Sequence, residues 1–147
     1  MLAISYLIHI YTDTENFSAL QQLFNEIPQE LRSRPELMAP TGRYYAARGE
    51  EAKARQIYQE LTARFDSLTP VGMLYTAELA ASLGEVEESL DMQEHLADSG
   101  SLLQFWSKLI YRNNQDIREH YRYEALLQRM GLDDESVAEL HSRMSFD

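Results

Sequence analysis

PELMAPTGRYYAARGEEAKARQIYQELTARF, residues 35–65, is echoed by PVGMLYTAELAASLGEVEESLDMQEHLAD, residues 70–98. Pro35 and Pro70, Met38 and Met73, and Gly49 and Gly84 each stand 35 residues apart. A period of this size marks stacked supersecondary units, none of which can bury its apolar face alone. One period earlier, Ala19 falls under Ala54, Thr14 takes the glycine position and Ile10 lies under Tyr45, so three copies fit. The expected fold is all-α, an α-α superhelix of about three helical hairpins over residues 1–34, 35–69 and 70–100. Capping helices over 101–147 complete one domain.

Each copy reads as two antiparallel helices: 2–11 with 15–27, 36–48 with 50–65, and 71–83 with 85–98. Pro35 and Pro70 stand just inside a helix start, where a missing N–H costs nothing, and Gly49 and Gly84 just past a helix end. Ala19, Ala54 and Ser89 fall five positions after the turn, where the two helices must approach closely. Leu20, Leu23 and Phe24, then Ile57, Tyr58 and Leu61, then Leu90, Met92 and Leu96 supply the apolar faces at helical spacing. After Gly100 the period fails. Leu102, Leu103, Phe105, Trp106, Leu109, Ile110 and Tyr111 are too apolar for an exposed last repeat and predict a capping helix. Residues 118–130 predict a second tail helix ended by Gly131, and Asp133 or Asp134 can cap a final one carrying Val137, Leu140 and Met144.

The chain of 147 residues is 44% hydrophobic, ample for one core, and carries a net charge of −11 that is unevenly placed. Residues 1–31 hold four acids and no base, 32–64 seven bases against four acids, and 65–107 eight acids with no Lys or Arg. Residues 108–129 then hold five bases against three acids. Adjacent segments of opposite charge should attract at low salt. No segment has the clustered Lys and Arg that a phosphate backbone requires, so nucleic acid is not an expected partner. The opening MLAISYLIHIY lacks a basic leader and a cleavage site, and Asp13 interrupts it too early for a membrane span. The expectation is a cytoplasmic protein without membrane contact, or a periplasmic one if it belongs to a membrane-anchored regulator. A first repeat that starts uncapped at Met1 also fits a piece of a longer chain.

Cysteine is absent, which removes thiol catalysis and thiolate metal sites. His9, His95, His120 and His141 form no HxH, HxxxH or HExxH pair, and no metal site or cofactor is expected. Nothing resembles GxSxG or a glycine-rich phosphate loop, and no catalytic residue is assigned. The chain reads as a non-enzyme.

Two surfaces are candidates for binding. By repeat register the first helices expose Ile4, Ile8, Tyr11 and Thr12, then Ala39, Arg43, Ala46 and Ala47, then Leu74, Glu78, Ala81 and Ser82. Ile8, Tyr11, Ala39, Arg43, Leu74 and Glu78 would line a shallow apolar groove suited to a peptide or a second copy, unless Arg43 and Glu78 pair across adjacent repeats. Glu87, Asp91, Glu94 and Asp98 recur at i, i+4, i+7 and i+11, forming either a solvated stripe or a docking surface for a basic partner. Nine tyrosines are many for this length. Most read as core, with Tyr121, Tyr123 and Trp106 as an alternative dimer seam.

The turn Ala46, Ala47, Arg48, Gly49 with Ala54, preceded by Gly42 and Tyr45, resembles the tetratricopeptide repeat. Residues 70–132 are similar to the C-terminal repeat tail of bacterial winged-helix regulators of the ToxR type and of repeat-bearing nucleotidyl cyclases. Arg118, Arg122, Tyr123, Leu126, Leu127, Arg129, Met130, Gly131 and Leu132 occupy that tail's positions, while His120 and Tyr121 stand where it has Asp and Pro. The resemblance implies a non-enzymatic scaffolding module of bacterial signalling or transcriptional regulation that binds a protein, a peptide or itself. A small-molecule sensor, with a ligand between the groove and the tail helices around Trp106, is the alternative expectation.

Overall fold

The computed structural model describes residues 2–101, 111 and 114–144, and these are helical with no strand among them. The expected capping helix over 102–110, with Trp106, lies outside the described residues. Three hairpins follow in order: α1 (Leu2–Asp13) with α2 (Phe17–Glu26), α4 (Pro35–Ala47) with α5 (Glu51–Thr62), and α6 (Pro70–Ser82) with α7 (Val86–Asp98). A one-turn helix α3 (Gln29–Arg32) and a 3-10 turn (Phe65–Ser67) join them. The tail comprises α8 (Gln115–Arg118), α9 (Tyr121–Arg129) and α10 (Asp134–Met144). Helix α4 packs on α1, α5 and α6, so the first helices of the hairpins lie side by side, and α8 and α9 lie on α7. No helix among the described residues is long and apolar enough to cross a membrane.

Pro35 and Pro70 are the first residues of α4 and α6, as their fixed φ favours, and Thr69 caps α6 by accepting from the Gly72 amide at 3.1 Å. All three hairpin turns close by one pattern of backbone bonds. Gly49 N–H donates to Ala46 O and Glu50 N–H to Tyr45 O; Gly84 to Ala81 and Glu85 to Ala80; Glu15 to Thr12 and Asn16 to Tyr11. This is the Schellman arrangement, whose pivot residue needs a positive φ. Gly49 and Gly84 have φ of 74° and 81°, and Glu15 has φ of 53°.

The pivot of the first turn is therefore Glu15 and not Thr14, so the first two turns stand 34 residues apart and the next two 35. Every first-copy residue shifts by one against the register expected from sequence. Leu20, not Ala19, is the counterpart of Ala54 and Ser89, and all three are 0% exposed while Ala19 is only half-buried. Tyr11, not Ile10, matches Tyr45. A left-handed φ strains any residue with a Cβ by roughly 1–2 kcal/mol. Glu15→Gly is expected to raise stability by about 1 kcal/mol, the unfolded chain's extra freedom offsetting part of the relief, as read by urea denaturation.

Leu20, Ile8, Ile27, Leu37 and Tyr44 form the core between the first two hairpins, and Ala54, Leu61, Leu68 and Leu79 that between the second and third. Gly42 lets α4 approach α6: a Cβ there would lie 2.7 Å from Leu79 Cδ2. The third core gathers Ala81, Leu90, Tyr111, Ile117 and Tyr123, joining the tail to the last hairpin.

Candidate functional site

The residues assigned to an open groove are mostly core. Ile8 and Ala39 are 0% exposed and Leu74 3%, and Tyr11 is half-buried against the first core. They fill the contacts between consecutive hairpins because the first helices pack directly on one another, which leaves these positions no open face. Arg43 and Glu78 pair, Nε to Oε1 at 3.2 Å, with side chains only 13% and 5% exposed.

The register shift adds the missing members of this cluster. His9, not Ile8, is the first-copy counterpart of Arg43 and Glu78, and the three meet: His9 Nδ1 lies 3.3 Å from Arg43 Nη1 and 3.3 Å from Glu78 Oε2. A nitrogen that accepts from Arg43 cannot also donate to Glu78, so the tautomer selects one contact. Asp13 takes Arg43 Nη2, and Tyr75 tilts over the His9 ring at 4.6 Å. Burial works against the charged guanidinium, but Glu78 and Asp13 outweigh it and raise the Arg43 pKa above its usual value. One polar residue from each first helix thus forms a ladder through the stack. It is a fastening between hairpins, with little surface offered to a ligand.

The acidic stripe is also occupied from within. Arg122, at the start of α9, donates Nη1 to Glu87 at 2.6 Å, Nη2 to Asp91 at 2.5 Å, and Nε and Nη2 to the two Glu94 oxygens at 3.0 Å each. Arg129 reaches Asp98 at 3.2 Å, and His120 Nε2 reaches Glu87 at 3.2 Å. The base missing from residues 65–107 is supplied by the tail. Hydrogen bonds donated to Glu94, Asp91 and Glu87 raise the Arg122 pKa above its usual value. His120 also caps α9, its Nδ1 accepting from the Arg122 amide at 3.3 Å. Asp133 accepts from the Ser136 amide at 3.0 Å and caps α10.

An open cleft lies elsewhere, between α2 and α3 on one side and α4 and α5 on the other. It encloses about 780 Å³ and its lining includes Phe24, Leu37, Tyr44, Tyr45 and Ile57. Phe24 meets the Tyr44 ring edge-on at 5.2 Å, and Tyr45 lies 5.3 Å from Tyr44. Arg32, Arg48 and Lys53 stand on its rim. Arg48 and Lys53 share one carboxylate, Glu50, at 3.3 and 2.5 Å, and lie over the Tyr44 and Tyr45 rings. Arg32 donates to the Ile27 and Phe24 carbonyls at 3.0 and 2.7 Å and has no carboxylate partner among the described residues. Glu60, also in the lining, pairs with Arg64 at 3.4 Å. The lining therefore combines aromatic rings with three cations, of which Arg48 and Lys53 are matched by Glu50. Sequence reasoning missed it, although the excess of bases over residues 32–64 is its trace in the chain.

Among the described residues no three His, Asp or Glu side chains are grouped to hold a metal ion. The proposed sensor pocket around Trp106 lies outside the described residues. Comparison of the chain with protein families, curated proteins and solved structures gives no match.

Proposed function

We propose that the chain is a non-enzymatic interaction module, a tetratricopeptide-like solenoid of bacterial signalling or transcriptional regulation, whose cleft between α2/α3 and α4/α5 takes a peptide rich in acidic and bulky apolar side chains. The observation that carries the binding reading is the Arg32 guanidinium, held at the rim beside Phe24 without a carboxylate partner among the described residues. An acidic side chain supplies the missing charge, and an apolar neighbour packs on the half-buried Tyr45 and Phe24. A chain of net charge −11 repels most acidic partners, so a local cationic rim restricts their approach to one place. Three hairpins closed by the same turn, with first helices α1, α4 and α6 in contact, support the solenoid reading. The similarity of residues 70–132 to regulator tails supports the signalling context.

The test is fluorescence anisotropy with a labelled peptide alternating Glu with Phe and Leu, beside the same peptide with Lys in place of Glu. The acidic peptide should bind, weaken as salt rises, and lose roughly tenfold in affinity with Arg32→Glu in a chain of unchanged helicity, equal to about 1.4 kcal/mol. Equal affinity for both peptides, or no binding of the acidic one, would overturn the assignment.

A further inference from the structure

The cleft lies at the seam between the first and second hairpins. The seam between the second and third, built from the same repeat positions, is bridged by an ion pair that the first seam lacks. There Arg55 of α5 donates Nη1 to Glu85 Oε1 at 2.7 Å across the hairpins, and Nε to Glu51 at 2.7 Å within its own helix. Glu85 directly follows the turn pivot Gly84, as Glu50 follows Gly49. Arg55 directly follows Ala54, whose counterpart one hairpin earlier is Leu20, so Arg55 corresponds to Gln21. Gln21 is an uncharged member of the cleft lining. The first seam thus keeps the carboxylate and lacks the arginine that would tie it across.

Glu50 turns instead to cations of its own hairpin. It stands at the N-cap position of α5 but makes no side-chain capping bond. Its Oε1 faces Arg48 Nε at 3.3 Å and its Oε2 faces Lys53 Nζ at 2.5 Å. All three residues are in the lining, so two of the cleft's three cations are neutralised by a residue of the cleft itself. We propose that Glu50 is an internal competitor of the acidic peptide, holding Arg48 and Lys53 against the ligand's carboxylates and so limiting how tightly the cleft binds them. The side chains of Arg48, Lys53 and Glu50 are 42%, 60% and 28% exposed, and ion pairs so placed are weak enough for a ligand to displace. Both cations also lie over aromatic rings, Arg48 over Tyr44 and Lys53 over Tyr45, contacts that do not involve Glu50 and that keep them at the cleft. The inference rests on the peptide reading above and adds to it the residue that regulates affinity.

Glu50→Gln keeps the size of the side chain and removes its charge. In anisotropy measurements on the full chain with the peptide alternating Glu with Phe and Leu, it should tighten binding by about three- to fivefold. The loss of affinity with added salt should also steepen. Glu51→Gln makes the same change of net charge one residue away, outside the lining, and should leave affinity unchanged. Adding Lys53→Met to Glu50→Gln should cancel much of the gain. An affinity that Glu50→Gln leaves unchanged or lowers, while Arg32→Glu still weakens it, would overturn the role of Glu50 and leave the peptide reading standing. An equal gain from Glu51→Gln would overturn it too, by showing an effect of net charge alone. Binding by Glu50→Gln but not by the unsubstituted chain would support the competitor and overturn the cleft as a peptide site in the unsubstituted chain. Binding by neither would overturn both.

Discussion

Arg43→Met is expected to destabilise the chain by about 3–5 kcal/mol, because it leaves Glu78 charged, buried and without its cation. Glu78 is 5% exposed at its side chain, and its Oε1 faces Arg43 Nε. Asp13 loses the same partner. For a domain of this size the loss corresponds to a fall in melting temperature of roughly 10 °C. The double substitution Arg43→Met with Glu78→Leu should recover much of it, since removing both charges removes the desolvation penalty along with the attraction. Lys53→Met is the surface control. Lys53 is 60% exposed at its side chain, and losing its pair with Glu50 should leave the melting temperature nearly unchanged. Equal effects of Arg43→Met and Lys53→Met would show that the ladder of His9, Arg43 and Glu78 does not hold the hairpins together.

Tyr111→Phe is expected to cost about 1–3 kcal/mol, the penalty for leaving buried polar groups without a partner. Tyr111 is 1% exposed, Gln93 Nε2 donates to its hydroxyl at 2.8 Å, and Ser89 Oγ lies 3.1 Å away. Ser89 gives its one hydroxyl proton to the Ala77 carbonyl at 2.7 Å, so Tyr111 donates to Ser89 and accepts from Gln93. Burial pushes the Tyr111 phenol well above the usual tyrosine range, although Ser89 and Gln93 pull the other way. Above about pH 10 an unfolded tyrosine releases its proton while the folded Tyr111 keeps it, so the unfolded state binds fewer protons and stability falls as pH rises. The contribution is fully present below that pH. Denaturation profiles should therefore decline on the alkaline side, and less steeply in Tyr111→Phe. Burial also raises Tyr58 and Tyr75, which leaves a residual slope in the variant. Tyr121→Phe, at a position 74% exposed, should be neutral within about 0.5 kcal/mol.

The hairpins were legible because proline, glycine and helical periodicity act within a few residues of one another. Gly49, Gly84 and Gly131 all occupy positive-φ turns, and Pro35 and Pro70 both open helices. The first turn departs by one residue from the register expected from sequence because its pivot is a glutamate. Backbone bonds close a Schellman turn whatever the side chain, and glycine only removes the strain, so the chain carries no letter that marks Glu15. That single step put Ile8 where His9 belongs and hid a three-residue ladder. Serine in the small-residue position of α7 fits the close approach by size, while its hydroxyl's contacts with Tyr111 and the Ala77 carbonyl arise only in the packed fold.

Charge shows the same division. The alternation of acidic and basic segments gave the sign of the attraction between α7 and the tail, but not that one guanidinium, Arg122, would meet three carboxylates. The sequence by itself determined the helices, their turns and the distribution of charge, because each follows from neighbours a few bonds away. Only the tertiary structure decided which polar groups are buried together, which acids are already paired, and which faces stay open. Those outcomes depend on how helices distant along the chain pack in space, and a one-residue change of register between hairpins alters all of them.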